Sequence, residues 1–206
     1  MKLFLASSID KTLPLLNKLA PGHGKNVLFV ANAADPYTGD KFWVDSDRNA
    51  FKKLGYQIHE ADLRETTPQQ LEKLLKENNI LHICGGSVYY LAALLAEKGL
   101  DKTVINAIRN ETVVYTGTSA GSIIVSKNLK PFSYDQEEKE FVKKVSDHKG
   151  LEIIDFGIVP HCNNPDFINE HQKIIEQMPN DAVPLFFLQD SQAIWVEDDC
   201  FKLLTV

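Results

Sequence analysis

The residues with the clearest chemical meaning are Gly117-Thr118-Ser119-Ala120-Gly121, a serine flanked by small residues between a predicted strand and a predicted helix. In a nucleophile elbow the serine occupies a strained turn and its hydroxyl projects from the edge of the sheet, while small neighbours let the backbone double back. The following helix directs its N–H groups and positive dipole end at a developing oxyanion. The pattern predicts Ser119 as a nucleophile, with a glycine-rich turn that binds phosphate or only packs as the alternative.

A serine nucleophile needs a general base, and His161 is the best placed of the six histidines. The apolar residues 156–160 bring it to the end of a predicted strand. Strand carboxyl ends share one edge of a parallel sheet, so Ser119 and His161 could meet there. Of the other histidines, His23 and His171 are predicted to face solvent. His82 is predicted to lie in the core, and His148 belongs to a charged segment.

The pair Gly85-Gly86 ends another predicted strand at the same edge of the sheet. Glycines at this place let backbone N–H groups approach a ligand closely, which would suit an oxyanion donor or a phosphate cradle. A merely steric role is equally compatible with the pattern. Residues 85–90 lack the G-x-G-x-x-G spacing, so a dinucleotide fingerprint is excluded.

Short apolar runs alternate with helical patterns along the chain, which predicts a three-layer α/β fold with a mostly parallel sheet and helices on both faces. One domain is expected over residues 1–206. Strands are predicted at 2–6, 27–31, 57–61, 80–84, 112–116 and 153–159, and helices at 42–54, from 68 onward, at 88–97, 104–109 and 166–178. A terminal set of short strands is predicted over 184–188, 193–196 and 201–204, and the sheet is predicted to end in short antiparallel strands at the C-terminus. The lysine-rich and acidic segment 127–150 is predicted to be a surface excursion, either a flap over the site or plain solvated surface.

Composition excludes several classes of protein. The formal net charge is −6, which argues against a nucleic-acid partner or an anionic membrane surface, since both need clustered lysine and arginine. Too few apolar residues precede Ser7-Ser8 for a secretion signal, and the longest uncharged stretch is broken by polar and glycine residues. We therefore expect a cytoplasmic protein. Cys84, Cys162 and Cys200 lack C-x-x-C spacing, and Cys84 and Cys162 are predicted to be structural.

The motifs Cys84-Gly85-Gly86-Ser87, Gly117-Thr118-Ser119-Ala120-Gly121-Ser122 and Pro160-His161 occur in the order seen in the serine peptidase family of dipeptidase E and cyanophycinase. The resemblance covers nearly the whole chain. It implies a fold similar to class I glutamine amidotransferases, with Ser119 as nucleophile and His161 as general base. By the same likeness the backbone N–H groups of Gly86 and Ala120 form the oxyanion hole.

The resemblance also suggests a third triad member. The family usually has a glutamate in a segment that matches residues 188–194, where this chain has Asp190. The dipeptidase branch has also been assigned an aspartate shortly after the nucleophile, for which Asp135 is the nearest counterpart. We expect Asp190 to have the role, because Asp135 lies in a polar segment suited to solvent. An arginine expected near the substrate pocket of that branch has no match, since no arginine follows Arg109.

The sequence thus predicts a serine-type hydrolase that cleaves short peptides through an acyl-enzyme, with no metal or cofactor, as a monomer or homodimer. An esterase or amidase of the α/β-hydrolase kind is disfavoured, because that fold places the acid before the histidine. A protein of another class, which binds peptides or small molecules on the same scaffold without catalysis, is the remaining alternative.

Overall fold

The protein is described here by a computed structural model over residues 1–135, 138–178 and 183–206. Its strands are β1 (Lys2–Ala6), β2 (Asn26–Val30), β3 (Gln57–Ala61), β4 (Ile80–Ile83), β5 (Val114–Thr118), β6 (Gly157–Val159), β7 (Leu185–Phe187), β8 (Gln192–Glu197) and β9 (Cys200–Thr205). Seven of them form the central sheet in the order β3-β2-β4-β5-β1-β8-β9, and β6 and β7 form a separate parallel pair. The strands from β3 to β1 pair in parallel, while β8 and β9 are antiparallel to their neighbours.

Helices cover both faces of this sheet. They are α1 (Ile9–Leu19), α2 (Phe42–Lys53), α3 (Pro68–Glu77), α4 (Val88–Glu97), α5 (Asp101–Arg109), α6 (Ala120–Ile123), α7 (Lys139–Val142) and α8 (Ile168–Gln177). Leu13 of α1 and Phe51 of α2 are fully buried in the core on one face, whereas Leu71 of α3 and Leu91 of α4 are fully buried on the other. The predicted three-layer α/β fold is confirmed. No helix in the described part of the chain is long and apolar enough to cross a membrane.

Strand β5 is buried at all five positions because it lies in the middle of a sheet covered on both faces. It begins and ends two residues later than the predicted strand 112–116, so it runs directly into Ser119. The predicted strand 153–159 is shorter in the structure, where only its last three residues pair with β7. Ile153 and Ile154 are buried in an irregular segment, and their N–H groups donate to the Val125 carbonyl. An apolar run alone does not distinguish a buried strand from another buried segment.

The segment 127–150 does not behave as the solvated surface that its composition suggests. Its apolar side chains Phe132, Phe141, Val142 and Val145 pack against the core. Glu138 is only 4% exposed. The apolar residues are few, but they face one side, and the buried carboxylate accepts hydrogen bonds at the start of α4. Residues 136 and 137 of this segment lie outside the described ranges.

Candidate active site

Ser119 lies in a tight turn between β5 and α6. Its backbone has φ 50° and ψ −113°, a conformation that is strained for a residue with a side chain. The neighbouring glycines make this turn possible. A Cβ on Gly117 would come within 2.4 Å of the Gly121 backbone, and one on Gly121 within 2.0 Å of the Ile83 carbonyl oxygen. The strand, strained serine and helix that the sequence predicts are all present.

The glycine pair after β4 passes directly beside this turn. A Cβ on Gly85 would lie 3.2 Å from the Ser119 Cβ, and Gly86 has φ +147° with its missing Cβ 2.1 Å from the Ala33 carbonyl oxygen. Within the described ranges, neither the Gly86 N–H nor the Ala120 N–H donates a hydrogen bond. These two backbone donors, one in the glycine pair beside the turn and one directly after Ser119, are therefore available to a negatively charged oxygen.

His161 follows β6 and is held by contacts on several sides. Its Nδ1 is 2.7 Å from Asp190 Oδ1, and its ring stacks on Phe167 with the centroids 4.6 Å apart. A carboxylate only accepts hydrogen bonds, so this contact assigns the proton to Nδ1 and leaves Nε2 as the basic nitrogen. The backbone of His161 has φ +61°. Of the two candidate acids, it is thus Asp190 that contacts His161.

Ser7 and Lys11 also contact this pair, and neither of them was identified as a site residue from the sequence. Ser7 is fully buried, accepts the His161 backbone N–H at 2.8 Å and donates its hydroxyl to Asp190 Oδ1 at 3.0 Å. Lys11 Nζ lies 3.4 Å from Asp190 Oδ2. The available signal was that Ser7 directly follows β1, at the edge of the sheet where β5 ends.

These contacts decide the charge of Asp190. Partial burial raises the pKa of this carboxyl, but the hydrogen bond and charge of His161, together with Ser7 and Lys11, outweigh burial. The net pKa lies below the ordinary value. Asp190 is therefore an anion at neutral pH, and an anion beside His161 stabilises an imidazolium ring.

Ser119, His161, Asp190 and Gly86 line one cavity of about 650 Å³. No hydrogen bond between Ser119 and His161 occurs among the described residues; such contacts often tighten only when substrate binds. Aromatic side chains form much of the remaining wall: Tyr37, Phe42, Trp43, Phe132, Tyr134 and Phe167. The cavity is large enough for a ligand of a few residues.

Two further residues lie on the cavity wall although they were predicted to face solvent. Asp135 is partly buried there. His171 donates from Nε2 to the Pro160 carbonyl at 2.9 Å, and burial, together with the charge of His161, lowers its pKa. The predictions fail because segment 127–150 and helix α8 both cover the site, and their polar patterns resemble those of exposed surface.

A buried group of potential metal ligands lies beside the cavity, and Asp47 of this group lines the cavity wall. Atoms of Asp47, His82 and Cys84 lie within 4.8 Å of one another. Both ring nitrogens of His82 already have partners, Asp47 Oδ2 at 3.2 Å and Thr116 Oγ1 at 3.0 Å. Burial raises the pKa of the Cys84 thiol, which disfavours the thiolate that metals bind. His82 is thus the satisfied core residue that its position in β4 predicts.

Comparison with known proteins shows the family of this chain. The model of peptidase family S51 matches residues 3–204. An uncharacterized peptidase of Pasteurella multocida is 30% identical over 96% of this chain and 94% of its own. An uncharacterized peptidase of Listeria innocua is 27% identical over 96% and 93%.

Two solved structures share the fold. A candidate peptidase E protein from Listeria monocytogenes superposes with a TM-score of 0.86 and 25% identity, over 100% of this chain and 98% of that chain. A peptidase from an acI-B1 Actinobacterium superposes with a TM-score of 0.70 over 100% and 87%, and its 19% identity speaks for the fold alone. The resemblance expected from the motifs is confirmed, and the chain belongs to peptidase family S51, the family of dipeptidase E and cyanophycinase.

Proposed function

We propose that the protein is a serine-type peptidase that hydrolyses short peptides, with Ser119 as nucleophile, His161 as general base and Asp190 as the group that orients the base. Membership of a peptidase family supports the general activity. The observation that carries the finer assignment is the 2.7 Å contact between His161 and Asp190, on the wall of the cavity that also holds the strained Ser119.

In the first half-reaction, Ser119 Oγ attacks the carbonyl carbon of the scissile bond while His161 Nε2 takes the hydroxyl proton. The resulting oxyanion accepts hydrogen bonds from the N–H groups of Gly86 and Ala120. When the C–N bond breaks, His161 returns the proton to the leaving amine. Asp190 remains charged and stabilises the imidazolium during both transfers.

In the second half-reaction, a water molecule replaces the amine. His161 takes a proton from this water as its oxygen attacks the acyl carbon, and the same two N–H groups hold the second oxyanion. The ester bond to Ser119 then breaks, and the proton returns to Ser119 Oγ. The released products are a carboxylic acid and an amine, and none of these steps routes through a metal or an organic cofactor.

The preference for short peptides is supported by the two parts of the chain that form the outer wall of the cavity, segment 127–150 and helix α8. Pro131, Phe132 and Tyr134 line it from segment 127–150, and His171 and Ile174 line it from helix α8. A volume of about 650 Å³ lies within the range of roughly 300–1,000 Å³ that is typical of sites for small ligands. A folded protein substrate would need both covering segments to move away.

The test is a set of dipeptides, tripeptides and one long unstructured protein, with release of new amino groups as the readout. We expect cleavage of the short peptides by the wild-type protein and by Ser146→Ala, an exposed serine outside the cavity. Ser119→Ala is expected to be inactive. Internal digestion of the long protein as fast as dipeptide cleavage would refute the size preference. Hydrolysis of simple esters alone would favour the esterase alternative, and binding without turnover would favour the non-catalytic one.

A further inference from the structure

The cavity that contains Ser119 is strongly acidic. Among the described residues, seven carboxylates line it against two lysines, and its lining includes no arginine. The carboxylates are Asp10, Asp47, Asp135, Glu138, Asp166, Glu170 and Asp190, and the lysines are Lys11 and Lys173. Asp190 is engaged by His161 and Lys11, and Asp47 contacts His82. The lining as a whole therefore carries more negative than positive formal charge.

Two of these carboxylates, Asp135 and Glu138, come from the same segment and influence each other. Glu138 is buried at the start of α4, where it accepts hydrogen bonds from Ser87 Oγ at 2.5 Å and from the Val88 N–H at 2.8 Å. Burial, with the nearby charge of Asp135, raises its pKa to about 7. Both groups line the cavity, and each attracts a positively charged ligand group there when it is ionised.

A second, independent observation is the buried hydroxyl of Thr118, which has no hydrogen-bond partner among the described residues. Its side chain is only 4% exposed and lines the cavity beside Ser119. Among the buried side-chain polar atoms of the described residues, its Oγ1 alone has no hydrogen-bond partner. Buried hydroxyls without a partner are costly. A ligand that brings N–H donors to this wall satisfies the hydroxyl as an acceptor.

The aromatic wall suits the rest of such a ligand. Phe132 and Tyr134 lie in the same segment as the two carboxylates, and Trp43 donates its indole N–H to the Gly85 carbonyl at 3.1 Å. Aromatic faces cover the methylene stems of lysine and arginine and attract their charged ends. An acidic side chain at the same place would add a negative charge to a wall that already carries several.

We propose that the substrate residue bound in this cavity is cationic, so that the protein prefers peptides whose N-terminal, acyl-donating residue is lysine or arginine. The inference rests on the proposed peptidase function and names its substrate class. Asp135 and Glu138 are the residues that select the charge.

The experiment compares aminoacyl coumarin amides that differ in charge but little in shape. Lysine is paired with norleucine and arginine with citrulline, and a glutamyl amide is the acidic member. We expect kcat/KM at least tenfold higher for lysine and arginine than for their neutral partners, and lowest for glutamate. The preference is expected to fall as ionic strength rises.

Variants identify the groups responsible for the preference. Asp135→Asn and Glu138→Gln are each expected to reduce the lysine-to-norleucine ratio of kcat/KM at least threefold. Glu72→Gln is the matched control, because this exposed carboxylate pairs with Lys76 on α3, away from the cavity. Glu138 is buried, so its replacement could disturb the segment. Asp135 is only partly buried, so Asp135→Asn carries less of that risk. The thermal midpoint and the reaction of Ser119 with a fluorophosphonate report whether each variant keeps an intact site.

The outcomes separate this inference from the proposed function. If norleucine is cleaved as fast as lysine, or if both variants keep the wild-type ratio, the inference is wrong while the peptidase assignment stands. If no amide or dipeptide is cleaved and Ser119 does not react with serine-directed reagents, the proposed function fails and the inference falls with it.

Discussion

At the scale of single residues, the orientation of His161 depends on contacts that no local sequence pattern predicts. The ring is fixed by Asp190 on one edge and by Phe167 on one face, and the backbone N–H is fixed by Ser7. Ser7 and Asp190 come from distant parts of the chain, whereas Phe167 follows His161 within the same segment. A side chain held in this way loses little orientational freedom when a ligand binds, which is the property that preorganised sites use to lower barriers.

Asp190 is therefore expected to be essential, whereas Asp135 is not. Asp190→Asn removes the charge that holds one imidazole tautomer, and loss of such an acceptor costs up to about 10⁴-fold in kcat. Asp190→Glu restores the residue usual in the family and is expected to keep measurable activity. Asp135→Asn is expected to cost less than about tenfold on a neutral substrate, below roughly 1.4 kcal/mol. Steady-state kinetics with unchanged thermal midpoints tests this ranking, and an inactive Asp135→Asn beside an active Asp190→Asn would reverse the assignment.

Ser7 is expected to act as a positioning residue. Ser7→Ala removes a donor to the charged Asp190 and the acceptor of the His161 N–H. Hydrogen bonds to charged groups contribute about 1.5–3 kcal/mol, so kcat is expected to fall roughly tenfold or more while KM stays nearly constant. Ser146→Ala is the control. A change in KM alone, or a loss of thermal stability with full kcat, would contradict a positioning role.

The catalytic candidates could be found in the sequence because each one follows a predicted strand or sits in a small-residue motif. Ser119 is marked by its glycines and His161 by the apolar run before it. Asp190 is identified first from the likeness to the family, and the apolar run 184–188 before it places it near a strand end. Ser7 and Thr118 could not be singled out, since a serine after a strand and a threonine within one are ordinary. Their importance depends on which groups the fold places opposite them.

At the scale of elements, segment 127–150 was the least predictable part of the chain. Its alternating charges are typical of solvent-exposed surface, yet Glu138 inserts its carboxylate at the start of α4. There the carboxylate accepts hydrogen bonds from Ser87 Oγ and from the N–H groups of Val88 and Tyr89. A helix start favours a negative charge, because its first N–H groups lack partners and its dipole is positive. Composition does not reveal such a contact.

Glu138 is expected to make stability depend on pH. Its folded-state pKa is about 7, against an ordinary value of 4.5. The folded state therefore holds the proton more tightly, and the stabilisation is complete below about pH 4.5 and lost as pH rises through 7. At about 1.4 kcal/mol per pKa unit, the loss is at most about 3 kcal/mol.

Urea unfolding of the wild-type protein and Glu138→Gln at pH 5 and pH 8 measures this effect. The free energy of unfolding of the wild-type protein, relative to the variant, is expected to be larger at pH 5 than at pH 8. Glu72→Gln is expected to track the wild-type protein at both pH values. An equal difference at the two pH values, or a larger one at pH 8, would show that Glu138 does not titrate as its burial implies.

Helix α1 illustrates another limit of sequence reasoning. Pro14 lies inside it, and a proline within an apolar pattern normally argues against a helix. The helix persists because Ile9, Leu13 and Leu16 are fully buried against the sheet. Tertiary packing outweighs the local cost, and that balance is not visible in the sequence alone.

At the scale of the whole molecule, strand order assembles the site. Strands β4, β5 and β1 are neighbours and parallel, so Gly85-Gly86, Ser119 and Ser7 emerge at one edge of the sheet. Strand β8 runs antiparallel beside β1, with Ala193 opposite Ala6. Its beginning lies at this same edge, which brings Asp190 into reach of His161. The α/β class and the carboxyl-edge site followed from the alternation of strands and helices, but the order of the strands did not.

The role of Ser119 as nucleophile is tested most directly by reaction with a fluorophosphonate, read by intact mass and peptide mapping. A single adduct is expected on the peptide that contains residues 117–121, in the wild-type protein and in Ser146→Ala. Ser119→Ala is expected to remain unmodified and to lose about 10⁴-fold or more in kcat. Labelling that persists in Ser119→Ala, or a folded wild-type protein that hydrolyses peptides yet never forms the adduct, would contradict the assignment.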